Sequence, residues 1–282
     1  MKTEIARSPV KIVRVAKKTQ RPLTPARGNS DTFEDRFVAF IDILGFQDLL
    51  TRIARGRSDL FDEIKNSLES ILAEERELDD PDSVRRAFSP TRQMTCFSDH
   101  VVISDVVDRW FSLLLAARKL YTKLLFKGIL CRGAIARGST FHHGRIIFGQ
   151  GLVRAYELES RAAVYPRVIV IDEIRRRLVN SDSQSKFNVR FASMLIRDHD
   201  GLWLIDPFGR PRVGEAYREG ENPEEITRHA LTAQRRRIID GFVRAKKRRL
   251  HLGQIAKHRW LARRFNETLA AERRTSPAQI RI

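Results

Sequence analysis

Two acids stand where an uncompensated charge is costly. Asp42 closes the apolar run Phe37–Ile41 (FVAFI) and leads into Ile43, Leu44, Gly45 and Phe46. Asp99 lies between two apolar runs in Thr95–Ser104 (TCFSDHVVIS). An acid at the end of a buried strand needs a metal ion or a set of hydrogen bonds to compensate it. Strand, acid, tight turn and helix start can hold a divalent ion, and the free N–H groups of the turn and helix can face a phosphate. The pair therefore predicts shared metal ions and a bound nucleoside triphosphate. Taken singly, each acid has a plainer reading, Asp42 as a turn cap and Asp99 as a hairpin-turn residue.

These acids need elements to bring them together. Phe37–Phe46 reads as a buried strand running into a helix with Leu49, Leu50 and Ile53 on one face. Ser58 reads as the cap of a further helical pattern that ends in the acidic loop 73–83. Arg92–Phe97 and His100–Ser104 predict a hairpin with Ser98 and Asp99 at its turn. Val107–Phe126 predicts a long helix stopped by Gly128, and Leu130–Gly138 a strand. A Gly-rich segment follows, then a short helix over Leu152–Arg161, a buried strand over Arg167–Asp172 and another short helix to Val179. Phe187–Arg197 and Leu202–Ile205 predict a late hairpin, and two helices span Pro223–Arg249 and Gln254–Arg273. The order implies an α/β (α+β) sandwich, one mostly antiparallel sheet covered by helices on one face.

Charge divides the chain of 282 residues further. Of a net +18, residues 1–30 carry about +7 and residues 235–282 about +12, so the middle is close to neutral. This pattern predicts a flexible basic arm at 1–33, a core domain at 34–215 and a basic helical extension at 222–282. A neutral core argues against nucleic acid as the main partner, although the run Lys246–Arg249 could touch nucleic acid or anionic lipid, or be a solvated helix face. The start lacks an apolar signal stretch, and the longest apolar segment, Val107–Cys131, is broken by Arg109, Arg118, Lys119, Lys123 and Lys127, so no transmembrane segment is expected. Cys96 and Cys131 read as reduced core residues of a cytoplasmic protein. His142 and His143 are adjacent and face opposite ways on a strand, which suits a hairpin tip better than a zinc site.

With these residues in this order the chain resembles the class III nucleotidyl cyclases over about residues 36–210. Phe40–Phe46 (FIDILGF) matches the family's first metal strand. Phe97–Ile103 (FSDHVVI) matches its metal hairpin, with Ser98 in place of glycine. Arg132, Gly133, Ile135 and Gly138 match its Arg-Gly-x-Ile-x-x-Gly strand, and Gly149 or Gly151 the glycine before its helix. Within the family, FVAFIDILGF, FSDHVVIS, GLVRAYELES and KHRWLARRFN look like the bacterial Pycsar cyclases, which make cyclic UMP or cyclic CMP in phage defence.

The resemblance implies two Mg²⁺ or Mn²⁺ ions bridged by Asp42 and Asp99, with the Ile43 carbonyl as a further ligand. It places the β- and γ-phosphates on the N–H groups of Leu44, Gly45 and Phe46. It implies a head-to-tail homodimer acting on UTP or CTP and serving a separate effector that senses the cyclic nucleotide. The family's transition-state Asn and Arg correspond to Val153 and Glu157, which cannot do that work; Arg154, Tyr156 and Arg161 are the substitutes within reach, Arg154 being equally readable as a solvated charge. Gln93 replaces the lysine that adenylyl cyclases use for base selection, and a glutamine can pair with the O4 and N3–H edge of uracil. Arg92 and Thr95 are its neighbours on that strand. A purine cyclase on the same scaffold, and an inactive cyclase-like module that binds nucleic acid or a partner through its basic C-terminal helices, are the alternatives.

Overall fold

The computed structural model describes residues 32–56, 61–62, 64–66, 69, 91–182, 194–209, 223–247, 252–271 and 280. The expected basic arm up to residue 31, the acidic loop 73–83 and Phe187–Ala192 of the late hairpin lie outside the described residues.

Strand β1 (Glu34–Ile43) is the centre of the sheet and is buried from Arg36 onward. It pairs antiparallel with β3 (His100–Val106) on one side and β4 (Cys131–His143) on the other. β2 (Gln93–Phe97) pairs with β3, and β5 (Ile146–Gly149) folds back on the end of β4. Beyond β4 come β6 (Val168–Val170), then β8 (Trp203–Ile205) and β7 (Leu195–Arg197), giving the order β2-β3-β1-β4-β6-β8-β7. Only β4–β6 is parallel, so the sheet is mostly antiparallel as expected.

Period-two alternation sorts β1 onto two faces. Phe37, Ala39, Ile41 and Ile43 pack with Val101, Ile103 and Ile135 under α1 (Phe46–Ala54) and α2 (Trp110–Phe126). Val38 and Phe40 on the opposite face meet Ala155 of α3 (Gln150–Ala162). The helices therefore cover both faces, not one. The physical cause is already in β1: a strand apolar at successive positions, rather than alternating, must be covered on both sides. Ile174 and Leu178 of α4 (Asp172–Asp182) join the first face.

Two glycines set how closely α3 sits. A Cβ on Gly138 would lie 2.6 Å from the Gly151 nitrogen, and one on Gly151 would lie 2.4 Å from Thr140 Oγ1. The strand expected to end at Gly138 runs on to His143 and turns at Gly144 into β5, so the Gly-rich segment is a hairpin rather than a loop.

The C-terminal helices α5 (Pro223–Lys247) and α6 (Leu252–Ala271) pack against this body. Ile238, Trp260, Leu261 and Phe265 share a core with Leu125, Leu204 and Phe208. The Trp260 indole N–H donates to Asp198 Oδ2 at 3.0 Å in a buried position, which ties α6 to the β7–β8 hairpin. Of the two cysteines only Cys131 is in the core; Cys96 is exposed because β2 is an edge strand.

Candidate active site

Strand register builds the site. In β1, Asp42 lies opposite His100 of β3 and opposite Arg132 of β4, so three chemically capable side chains share one level of one face. Asp42 is 8% exposed. The hairpin turn that presents Asp99 contains Ser98 at φ 52° and is tied to β1 by the Ile43 N–H, which donates to the Asp99 carbonyl at 2.8 Å. One ligand atom each from Asp42, Asp99 and His100 lie within 4.8 Å of one another. That spread approaches the separation of donors around a single ion bound at about 2.1 Å, so the residues fit a divalent metal.

A cationic wall stands behind these donors. Arg132 Nε donates to Asp42 Oδ2 at 3.0 Å and lies 2.6 Å from Glu159 Oε1 of α3. Glu159 is 2% exposed, and burial holds its carboxyl above the usual range despite its bond from Ser160 and the charge of Arg132. Arg132 thus fixes one oxygen of Asp42 and leaves the other, toward His100, for a ligand. From α6, Lys257 also reaches this field: burial and Arg132 lower its pKa while Asp42 raises it. Aromatic rings frame His100, with Phe40 at 4.9 Å, Phe97 stacked at 5.4 Å, and Tyr156 edge-on to Phe40 at 5.5 Å.

The turn after β1 has the geometry a phosphate needs. Gly45 is left-handed at φ 73°, ψ 27°, and it caps α1. Leu44, however, donates its N–H to the Leu130 carbonyl at 2.8 Å, so it is not available to a phosphate. Gly45 and Phe46 remain, because N–H groups at a helix start have no partner within the helix.

The other expected site residues separate. Arg92 is buried and donates to Ser112 Oγ of α2 at 3.3 Å, on the far face of the sheet, which removes it from nucleotide binding. Gln93 Oε1 accepts from the Gly144 N–H at 3.2 Å. Arg154 is exposed and donates to the Arg137 carbonyl at 3.0 Å, beside Asp35 and Glu173 rather than Asp42. Arg161 is exposed near the end of α3 and has no hydrogen bond or ion pair to either acid among the described residues. Of the three substitutes, Tyr156 packs edge-on to Phe40, whose ring in turn meets His100. Three site residues were not singled out from the sequence: His100, Glu159 and Lys257. The adjacency of His100 to Asp99 was a usable signal; nothing local marks Glu159 or Lys257.

Thr95 ends a chain of hydrogen bonds that starts in the core and reaches the surface. Arg36 Nε donates to Ser104 Oγ at 2.9 Å, Ser104 Oγ meets His142 Nδ1 at 2.7 Å, His142 Nε2 meets Thr95 Oγ1 at 2.8 Å, and Thr95 Oγ1 donates to the Gly144 carbonyl at 2.9 Å. Every donor is matched only if Ser104 donates to Nδ1 and a neutral His142 carries its proton on Nε2. Burial, then the charge of Arg36, pushes His142 down from 6.5 to about 3. The proton therefore binds the unfolded chain first, so this contribution to stability is intact above pH 6.5 and is lost as pH falls from there toward 3. Denaturant unfolding at pH 7 and pH 5 should differ by ~2 kcal/mol from this residue, and His142→Gln should flatten that slope.

No family model matches the chain, and no curated protein matches it. Among solved structures, two bacterial light-regulated adenylyl cyclases are similar to it. One is 10% identical with a TM-score of 0.40, covering 75% of this chain and 60% of that one. The other is 12% identical with a TM-score of 0.38, covering 72% of this chain and 98% of that one. This chain thus spans about three fifths of the first structure's length.

Proposed function

We propose that the protein is a divalent-metal-dependent nucleotide cyclase that converts UTP, or less readily CTP, into the 3′,5′-cyclic nucleotide and pyrophosphate. The observation that carries this reading is the convergence of Asp42, Asp99 and His100 beside the left-handed Gly45 turn. In the reaction the ribose 3′-oxygen bonds to the α-phosphorus, the bond to the β-phosphate bridging oxygen breaks, and the hydroxyl proton leaves. Two Mn²⁺ or Mg²⁺ ions held by Asp42, Asp99 and the Ile43 carbonyl would acidify the hydroxyl and neutralise the leaving pyrophosphate. Arg132 orients Asp42 through the bond to Oδ2, and Gly45 and Phe46 offer N–H groups to the phosphates. Gln93 Oε1 gives one lone pair to the Gly144 N–H, and the amide keeps a second lone pair and its N–H donors for a base. That donor and acceptor pair suits the O4 and N3–H edge of uracil, which favours UTP.

A homodimer completes this reading. Arg154 and Arg161 would serve the partner's acids rather than their own, and the half-exposed apolar side chains Phe97, Val153 and Tyr156 suit a covering copy. On this reading the product is a second messenger in anti-phage defence, read by a separate effector, which is what the sequence resemblance implies. No helix among the described residues is long and apolar enough to cross a membrane.

The test is incubation of purified protein with Mn²⁺ and each of the four ribonucleoside triphosphates, with products resolved by chromatography and mass. Cyclic UMP as the main product supports the full reading. Cyclic AMP or cyclic GMP keeps the chemistry and overturns the role given to Gln93. The absence of product from all four leaves an inactive cyclase-like module.

A further inference from the structure

The C-terminal helices do more than cover the end of the sheet. Between the turn after β1, the end of α2 and helices α5 and α6 lies a cavity of about 400 Å³. Gly45 stands on its wall, with Arg52, Lys127, Arg237, Arg244 and Lys257, and the only acid on that wall is Asp48. Arg237 and Arg244 have no carboxylate partner among the described residues. Lys257 is half-buried in the field of Arg132, a place where a cation is disfavoured unless an anion joins it. His258 lines the same wall, its Nδ1 buried without a hydrogen-bond partner. Its ring is pressed against Gly241, where a Cβ would come within 2.8 Å of His258 Cε1, so α5 and α6 meet closely enough to enclose the cavity from that side.

We propose that this cavity binds the phosphate chain of the nucleotide, and that Arg237 and Arg244 of α5 and Lys257 of α6 supply the positive charge for it. The proposal rests on the cyclase reading for the identity of the nucleotide, but the binding of a phosphate chain does not depend on it. The position is right for continuity. Leu44 and Gly45 line the cavity and lie two and three residues after Asp42, and Lys257 is coupled electrostatically to Asp42. A triphosphate whose α-phosphate sits at the acids would extend across the Gly45 turn into this hollow. The wall supplies positive charge from a part of the chain distant in sequence from the acids. A recess bounded by the β1 turn, the end of α2 and both C-terminal helices suits a short polyanion better than an RNA backbone, which needs an extended basic track.

The experiment is calorimetric titration of the full-length protein with inorganic triphosphate in the absence of divalent metal. Arg244→Ala and Lys257→Gln should each weaken binding by at least about 10-fold, the loss of one charge-assisted contact. Arg244→Lys should retain most of it. Arg236→Ala, whose side chain is 86% exposed beside Asp240 and not on the cavity wall, should leave it unchanged. Equal losses in Arg236→Ala and Arg244→Ala would reduce the effect to general attraction by a basic surface and overturn the proposal. So would unaltered binding in both cavity variants with unchanged melting temperatures. Competition by a single-stranded RNA at equal phosphate concentration, with stronger binding than triphosphate, would assign the surface to nucleic acid instead. Because the probe needs no metal and no turnover, binding that persists in Asp42→Ala upholds the cavity even if no cyclic product forms. If product does form, the same variants should raise KM for the triphosphate more than they lower kcat.

Discussion

Asp42→Ala is expected to lower cyclic-nucleotide formation by at least about 10³-fold, the scale of losing a principal group that stabilises transition-state charge. Asp42 is the one residue that joins all parts of the site. Its register partners are His100 and Arg132, its Oδ2 is held by Arg132 at 3.0 Å, and its side chain is nearly buried at the end of β1. Removing it takes away a proposed metal ligand and also leaves Arg132 with Glu159 as its carboxylate. Activity is therefore a composite readout, and a second one separates the causes. Mn²⁺ binding, followed by calorimetry, should be lost in Asp42→Ala and in Asp99→Ala, and should survive in Arg132→Lys, which keeps the positive charge. If Asp42→Ala binds Mn²⁺ as the wild type does, the acid is a structural partner of Arg132 and the metal assignment fails.

Gly151→Val is the substitution expected to damage the fold most. Its Cβ would lie 2.4 Å from Thr140 Oγ1 and 3.0 Å from Val38 Cγ2, between a helix and the two central strands, where neither side can retreat cheaply. Overpacking of this kind costs about 3 kcal/mol, which corresponds to a fall in melting temperature of roughly 10 °C. The consequence for the site is specific, because α3 carries Glu159 against Arg132 and Tyr156 against Phe40. Gly45→Ala makes a useful contrast. Nothing lies within 4 Å of a Cβ there, but the backbone is at φ 73°, so the cost is strain of about 1 kcal/mol at the phosphate turn rather than a clash in the core. A thermal melt of Gly151→Val within a few degrees of the wild type would show that α3 can shift outward, and the close glycine contact would then not be what holds it.

Much of the core was legible in the sequence, because it is encoded locally. The apolar run of β1 marks a buried strand, although helices were expected to cover the sheet on one face and cover both; Gly128 at φ 74° can end α2 without strain, and Ser98-Asp99 is short enough to force a hairpin. The same hairpin carries Asp99 beside Asp42 whenever β3 pairs with β1. What the sequence could not reveal is which side chains a neighbouring element consumes. Arg92, Gln93 and Thr95 follow one another along one strand with similar polarity, yet Arg92 turns under α2 to Ser112, while Gln93 and Thr95 are taken by the Gly144 turn nearly fifty residues away. Leu44 looked like a phosphate donor until the Leu130 carbonyl claimed its N–H. Composition marked the C-terminal helices only as basic. Packing through Trp260, Leu261 and Phe265 places Lys257 and Arg244 around the Gly45 turn. The sequence by itself determined where the acids stand and which runs must be buried, since burial and turn chemistry act between near neighbours. The tertiary structure alone decided which cations surround those acids, because charge acts through space and depends on where distant helices come to rest.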